Sequence, residues 1–239
     1  MMRKILLAGA FSFLVLLVVL MGAWVHNARS SFQKRANKNY TVYIYPEKYR
    51  FVTEKEVIQI IRQHDIKDTT EVARAKIIES VLEKNPFIDN AEAYVGSQGR
   101  LTVEIEQFEP VIYMEFEGEE KIMTTKGSFM PIPKHYKPKI PVFEGMVGMK
   151  ELPGVYYVII QLHRDPFFKN RLYKIIYKDL DIHLKLYGFS PEINLGEPTA
   201  YRIKLEKTKD IIRVLKQQNK ERLYKQVDVS YQGQIICKK

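Results

Sequence analysis

Apolar positions come in three rhythms along this chain. The first is unbroken: residues 5–25, ILLAGAFSFLVLLVVLMGAWV, run from Ile5 to Val25 without a charge. Arg3 and Lys4 precede the run, and Arg29, Lys34 and Arg35 follow it. At about 1.5 Å per residue a helix of that length reaches roughly 31 Å, the depth of a bilayer's hydrocarbon core. Backbone groups find no water there, so the segment is predicted helical. Trp24 sits where an interfacial anchor belongs. The rival is a cleaved signal peptide, whose apolar run is about 7–15 residues and ends in a small-x-small site. Here Met21-Gly22-Ala23 puts Met at the first small position. The run is therefore read as a transmembrane anchor, with residues 1–4 as a cytoplasmic tail and the bulk of the chain outside.

The second rhythm is helical. Thr53-Glu54-Lys55-Glu56 has the form of a capping box, and Val57, Ile60 and Ile61 follow at helical spacing to about Gln63. A second helix is predicted with Asp68 or Thr70 as its cap and Ala75, Ile78, Val81 and Leu82 inward, ending before Pro86. Residues 154–163, GVYYVIIQLH, suit a buried helix. Residues 200–218 suit an amphipathic one with Ile203, Ile211, Val214 and Leu215 inward.

The third rhythm is alternation. Residues 41–45 are β-branched and aromatic up to Pro46, and 101–106 alternate strictly, LTVEIE. Residues 87–95 lead into that strand through Gly96-Ser97-Gln98-Gly99, a hairpin turn. Over 40–107 the order is strand, helix, helix, strand, strand. Two helices can cover one face of a three-stranded sheet. Beyond it, residues 110–133 carry three short strands joined through Glu117-Gly118 and Lys126-Gly127. Residues 134–148, rich in Pro and Lys, are predicted as a loop. Strands follow at 172–177, 181–187, 190–195, 226–231 and 234–237.

Composition narrows the class. Forty-six per cent of the 239 residues are apolar, enough for a packed core rather than a disordered chain. The net charge is +10, but acids interleave with the bases, as in Glu54-Lys55-Glu56, the pattern of a solvated surface. Residues 26–39 are polar and basic and are read as a juxtamembrane linker. Cys237 is alone, so no internal disulfide forms.

Five phrases, in order behind the anchor, resemble the FtsQ/DivIB family of bacterial cell-division proteins. They are Asn85-Pro86-Phe87-Ile88-Asp89-Asn90-Ala91; Leu101 to Glu106 with Glu109-Pro110-Val111; Ile122 to Phe129; Ile140-Pro141-Val142-Phe143-Glu144-Gly145; and Val227 to Ile235. The resemblance implies an α+β protein: a transmembrane helix (5–25), a juxtamembrane linker (26–39), a POTRA-like β-α-α-β-β domain (40–109) and a β-rich domain with two packed helices (110–239). It also implies a non-catalytic divisome scaffold in the inner (plasma) membrane at the division site. Its partners would be single-span FtsB/FtsL-like proteins, bound by strand addition to the C-terminal edge. The matching positions are Val229, Tyr231, Gln232 and Gly233, with Ser230 where many relatives carry a basic residue. A second reading is a POTRA-bearing envelope chaperone that binds extended peptides.

Chemistry is sparse. The five histidines are scattered without metal-ligand spacing, and no phosphate-cradling or nucleophile-elbow motif is present. His163-Arg164-Asp165 reads as a capped helix end. Glu104 and Glu106 share one strand face, roughly 6–7 Å apart; an exposed face explains them without glycosidase chemistry. No cofactor, metal, nucleic acid or small-molecule substrate is expected, and no enzymatic activity.

Overall fold

A computed structural model describes Met21 and residues 40–64, 70–95 and 100–239. The predicted anchor, with Ile5, Trp24 and Val25, and the linker 26–39 lie outside the described residues, Met21 excepted. So do Asp68 and the turn at 96–99. Among the described residues no helix is long and apolar enough to cross a membrane. Contacts divide the chain into two units, 1–107 and 108–239.

The first unit follows the alternation and helical periods of its sequence. Strand β1 is Tyr40–Tyr45, helix α1 Glu54–Gln63, helix α2 Glu71–Leu82, and strands β2 and β3 Ile88–Val95 and Leu101–Gln107. Thr53 opens α1 through a full capping box: its Oγ1 accepts from the Glu56 N–H, and Glu56 Oε2 accepts from the Thr53 N–H at 2.7 Å. Thr70 caps α2. The sheet order is β1-β3-β2, with β3 parallel to β1 and antiparallel to β2. Val57, Ile61, Ala75, Ile78 and Leu82 from the helices are buried, as are Ala91, Ala93, Leu101, Val103 and Ile105 from the strands. Gln107 closes this unit. Its Oε1 accepts from the Phe51 and Val52 N–H groups, and its Nε2 donates to the Pro46 and Tyr49 carbonyls.

The second unit is a nine-stranded sheet in the order β12-β11-β10-β9-β8-β7-β4-β5-β6. Its strands are β4 (Pro110–Phe116), β5 (Glu119–Thr124), β6 (Phe129–Pro131), β7 (Val142–Glu144), β8 (Leu172–Lys178), β9 (Asp181–Leu186), β10 (Phe189–Gly196), β11 (Gln226–Asp228) and β12 (Ile236–Lys238). Two β-α-β crossovers generate two of its three parallel pairs, β7-β8 and β10-β11; the third, β4-β7, is joined through β5, β6 and the stretch that follows them. Helix α3 (Leu152–Arg164) and the single turn α4 (Pro166–Lys169) link β7 to β8. Helix α5 (Tyr201–Gln217) and a 3₁₀ turn at Glu221–Leu223 link β10 to β11. Asp179 and Leu180 take positive φ, at 54° and 69°, in the two-residue turn that joins β8 to β9.

Three expectations need correction. The stretch 134–148 is not all loop: Val142–Glu144 forms β7, held by three residue pairs with β8 and one, Tyr113↔Val142, with β4. Continuing that last register would set Glu115 against Glu144. Like charges placed directly opposite disfavour extending the ladder, and Glu144 pairs with Lys174 of β8 at 2.7 Å. The buried stripe of α5 is Lys204, Leu205, Thr208, Ile212 and Leu215, whereas Ile203 and Val214 are exposed. At about 100° per residue, Ile203 lies diametrically opposite Ile212, and Val214 opposite Leu205. Neither can share the core stripe. Lys204 buries its stem and carries its Nζ to the Glu197 carbonyl, 2.8 Å away. Finally, the last two strands are shorter than 226–231 and 234–237. Asp228 Oδ1 takes the Ser230 N–H in an Asx turn that ends β11.

Candidate functional site

The C-terminal end of the large sheet is built by the β10-α5-β11 crossover and the strand that follows it. β11 lies parallel to β10, with Glu192↔Gln226 and Asn194↔Asp228 in register. β12 returns antiparallel to β11, with Val227↔Cys237 at the centre. In the sheet order β12 has a neighbour on one side only. An edge strand of this type turns alternate N–H and C=O groups outward, where an added strand can bond them.

The four sequence-predicted residues separate into two groups. Val229 is fully buried, and its N–H already donates to the Asn194 carbonyl at 2.9 Å. It belongs to the floor of the site and is not an open edge position, which corrects the expectation. Tyr231, Gln232 and Gly233 are exposed in the turn that leads into β12. Tyr231 is 49 % exposed, so its ring is available as an amphipathic anchor. Gly233 takes φ of +74°, a left-handed conformation that suits glycine, and nothing crowds it.

A buried polar network shapes this turn, and sequence reasoning did not find its members. Asn194 Nδ2 donates to Asp228 Oδ2 at 3.2 Å, and Asn194 Oδ1 accepts from the Gly196 N–H. Asp228 Oδ1 accepts from both the N–H and the hydroxyl of Ser230. Burial pushes the Asp228 carboxyl up, but the Ser230 and Asn194 bonds outweigh it and hold the group below the usual carboxylate range. Ser230 therefore works inward, as a partner of Asp228. A side chain on Gly196 would meet Ser230 Cβ at 2.7 Å, so glycine is required beneath the turn. From α5, Lys207 Nζ donates to the Tyr231 carbonyl. The readable signal was the Asp228-x-Ser230 spacing of an Asx turn. Asn194 and Lys207, 34 and 24 residues away from their partners, left none.

Cys237 lies in β12, partly buried against the core, and burial raises its thiol pKa, which keeps it protonated. The other end of the sheet differs. β6, also three residues long, finishes in Pro131, which lacks the N–H an added strand needs. His163 Nε2 lies 3.4 Å from Glu109 Oε1, and Asp165 caps α4 while pairing with Lys209 at 2.6 Å. Among the described residues no group of three or more His, Cys, Asp or Glu is placed to hold a metal ion. Where β4 and β7 part, a cavity of about 690 Å³ opens over Met114, Ile140 and Phe143, with Glu115 and Glu144 at its rim.

Comparison with known proteins gives two matches. Residues 109–238 match the family model described as FtsQ/DivIB, C-terminal related, and residues 46–106 match a POTRA-like domain. No curated protein matches the chain.

Proposed function

Starting from the fact that the chain belongs to the FtsQ/DivIB family, whose members are non-enzymatic scaffolds of cell division, we propose that it captures its partners by strand addition at β12. The partners are small single-span division proteins of the FtsB/FtsL type, and capture links or times septal wall synthesis. In this reading Ile5 to Val25 anchor the chain in the inner membrane, with Trp24 at the outer interface and both folded units outside the cytoplasm.

The observation that carries the reading is the asymmetry of the nine-stranded sheet: both edge strands have three residues, but β6 ends in Pro131, whereas every residue of β12 keeps its amide. Energetics set what else is needed. A three-residue edge offers two or three main-chain bonds, each worth about 0.5–1.5 kcal/mol net. Micromolar capture needs roughly 8 kcal/mol after the cost of association. Side chains must supply the remainder, and Tyr231 in the adjoining turn is the anchor best placed to do so.

The test is capture of the partner pair by the full chain in membranes. Cys237→Pro removes an amide from the edge, and Tyr231→Ala removes the anchor. Both should reduce capture at least tenfold while circular dichroism stays unchanged. Undiminished capture by both variants would reject β12 as the docking edge.

A further inference from the structure

The helices of the first unit cover one face of its sheet and leave the other open. Register places nine outward side chains on that face in three rows: Thr41-Thr102-Tyr94, Tyr43-Glu104-Glu92 and Tyr45-Glu106-Asn90. Three of the nine are carboxylates, three are tyrosines and none is Lys or Arg, although the chain as a whole carries +10; Arg100, next in the same alternation, lies one residue before β3. Tyr43, Tyr45 and Tyr94 are 44 %, 47 % and 48 % exposed. The rings of Tyr43 and Tyr45 lie side by side, 6.5 Å apart.

Among the described residues this charge has no ion-pair partner, and two features go with that. Glu92 and Glu104 stand directly opposite each other across β2 and β3, a like-charge pairing that weakens a sheet. The bonds they receive come from neutral donors: Tyr94 Oη donates to Glu104 Oε1 at 3.0 Å, and Asn90 Nδ2 to Glu92 Oε1 at 3.3 Å. These orient the carboxylates without cancelling their charge. A local conflict of this kind on an open face is a mark of a binding surface.

We infer that this tyrosine and glutamate face docks an extended, basic segment of another protein, with Lys or Arg at alternate positions. Successive outward residues of a strand repeat at about 6.8 Å, and so do alternate side chains of an extended ligand. A cation every second residue would fall between Glu104 and Glu106 along β3, with Tyr43 and Tyr45 beside it to supply cation–π contacts. Acidic or purely apolar segments would leave the opposed carboxylates unneutralised.

The probe is a fluorescently labelled decapeptide of alternating Arg and Ser, titrated by anisotropy against the full chain in detergent micelles. The Glu92→Gln/Glu104→Gln/Glu106→Gln triple variant should weaken binding at least tenfold, and Tyr43→Ser/Tyr45→Ser at least threefold. A charge-matched control, Glu117→Gln/Glu119→Gln/Glu120→Gln in the second unit, should leave it unchanged. Equal losses in the two triple variants would mean general charge attraction and would overturn the assignment. So would binding that appears only after Lys34, Arg35 and Lys38 are changed to Gln, since the chain's own basic segment would then be the occupant. The β12 variants should not alter this binding, which separates its failure from failure of strand addition. Because the Gln triple removes a like-charge pair, its thermal midpoint should not fall, so a loss of binding is not a loss of fold.

Discussion

Replacing Asp228 with Ala should loosen the C-terminal turn without unfolding the domain. The carboxylate is 3 % exposed and accepts three hydrogen bonds, two from Ser230 and one from Asn194. Bonds to a charged acceptor contribute about 1.5–3 kcal/mol each. Removing the buried charge returns part of that, and water can reach the half-buried Ser230. A net cost of about 2–3 kcal/mol follows. The reporter is the Val229 amide, whose bond to the Asn194 carbonyl is the next one inward. At tenfold per 1.4 kcal/mol, its hydrogen exchange should accelerate about 30- to 150-fold. Asp228→Asn keeps an acceptor and should cost about half as much. The pH dependence has a defined sign. The folded carboxyl is depressed, so its contribution is full above the unfolded value of about 4 and is lost as pH falls through the lower folded value. The Asn variant should lack that acid limb. Less than a threefold change at Val229 in Asp228→Ala, or an unaltered acid limb in Asp228→Asn, would refute the reasoning.

Other parts of the molecule yield equally direct expectations. Gln107→Ala strands four main-chain groups of the loop between β1 and α1 and should cost about 3 kcal/mol, read from exchange at the Phe51 and Val52 amides. Gly145→Ala should destabilise the second unit by at least about 2 kcal/mol in urea denaturation, because φ is +122° and the new Cβ would collide with the Tyr177 carbonyl oxygen. Burial pushes the Tyr113 hydroxyl up to about 12. The stability it contributes is therefore full below pH 10 and lost between pH 10 and about 12, and Tyr113→Phe should flatten that alkaline limb.

Much of the α+β architecture was readable because its signals are local. The capping box at Thr53, the alternation of 101–106 and the apolar run at 154–163 each fix an element within a few residues. β7 was not readable: three residues carry no period, and its partners on β8 lie some thirty positions ahead. The face of α5 is not legible from apolar positions, because Lys204 and Thr208 occupy core positions that apolar counting skips, while Ile203 and Val214 form a solvent stripe. Val227 and Val229 both bury their side chains, but side-chain direction does not tell whether a strand lies at the edge of its sheet. What escaped was topology. That β11 pairs with β10, and thereby commits the Val229 amide to Asn194, depends on a crossover through α5 that no local pattern announces.

The most direct measurement is amide hydrogen exchange along β12 of the full chain in membranes, alone and with its single-span partners. Strand addition predicts that outward amides within Ile236–Lys238 exchange freely in the unbound protein and gain at least tenfold protection on capture, while the β6 amides stay unchanged. Full partner binding with no new protection at β12 would contradict it.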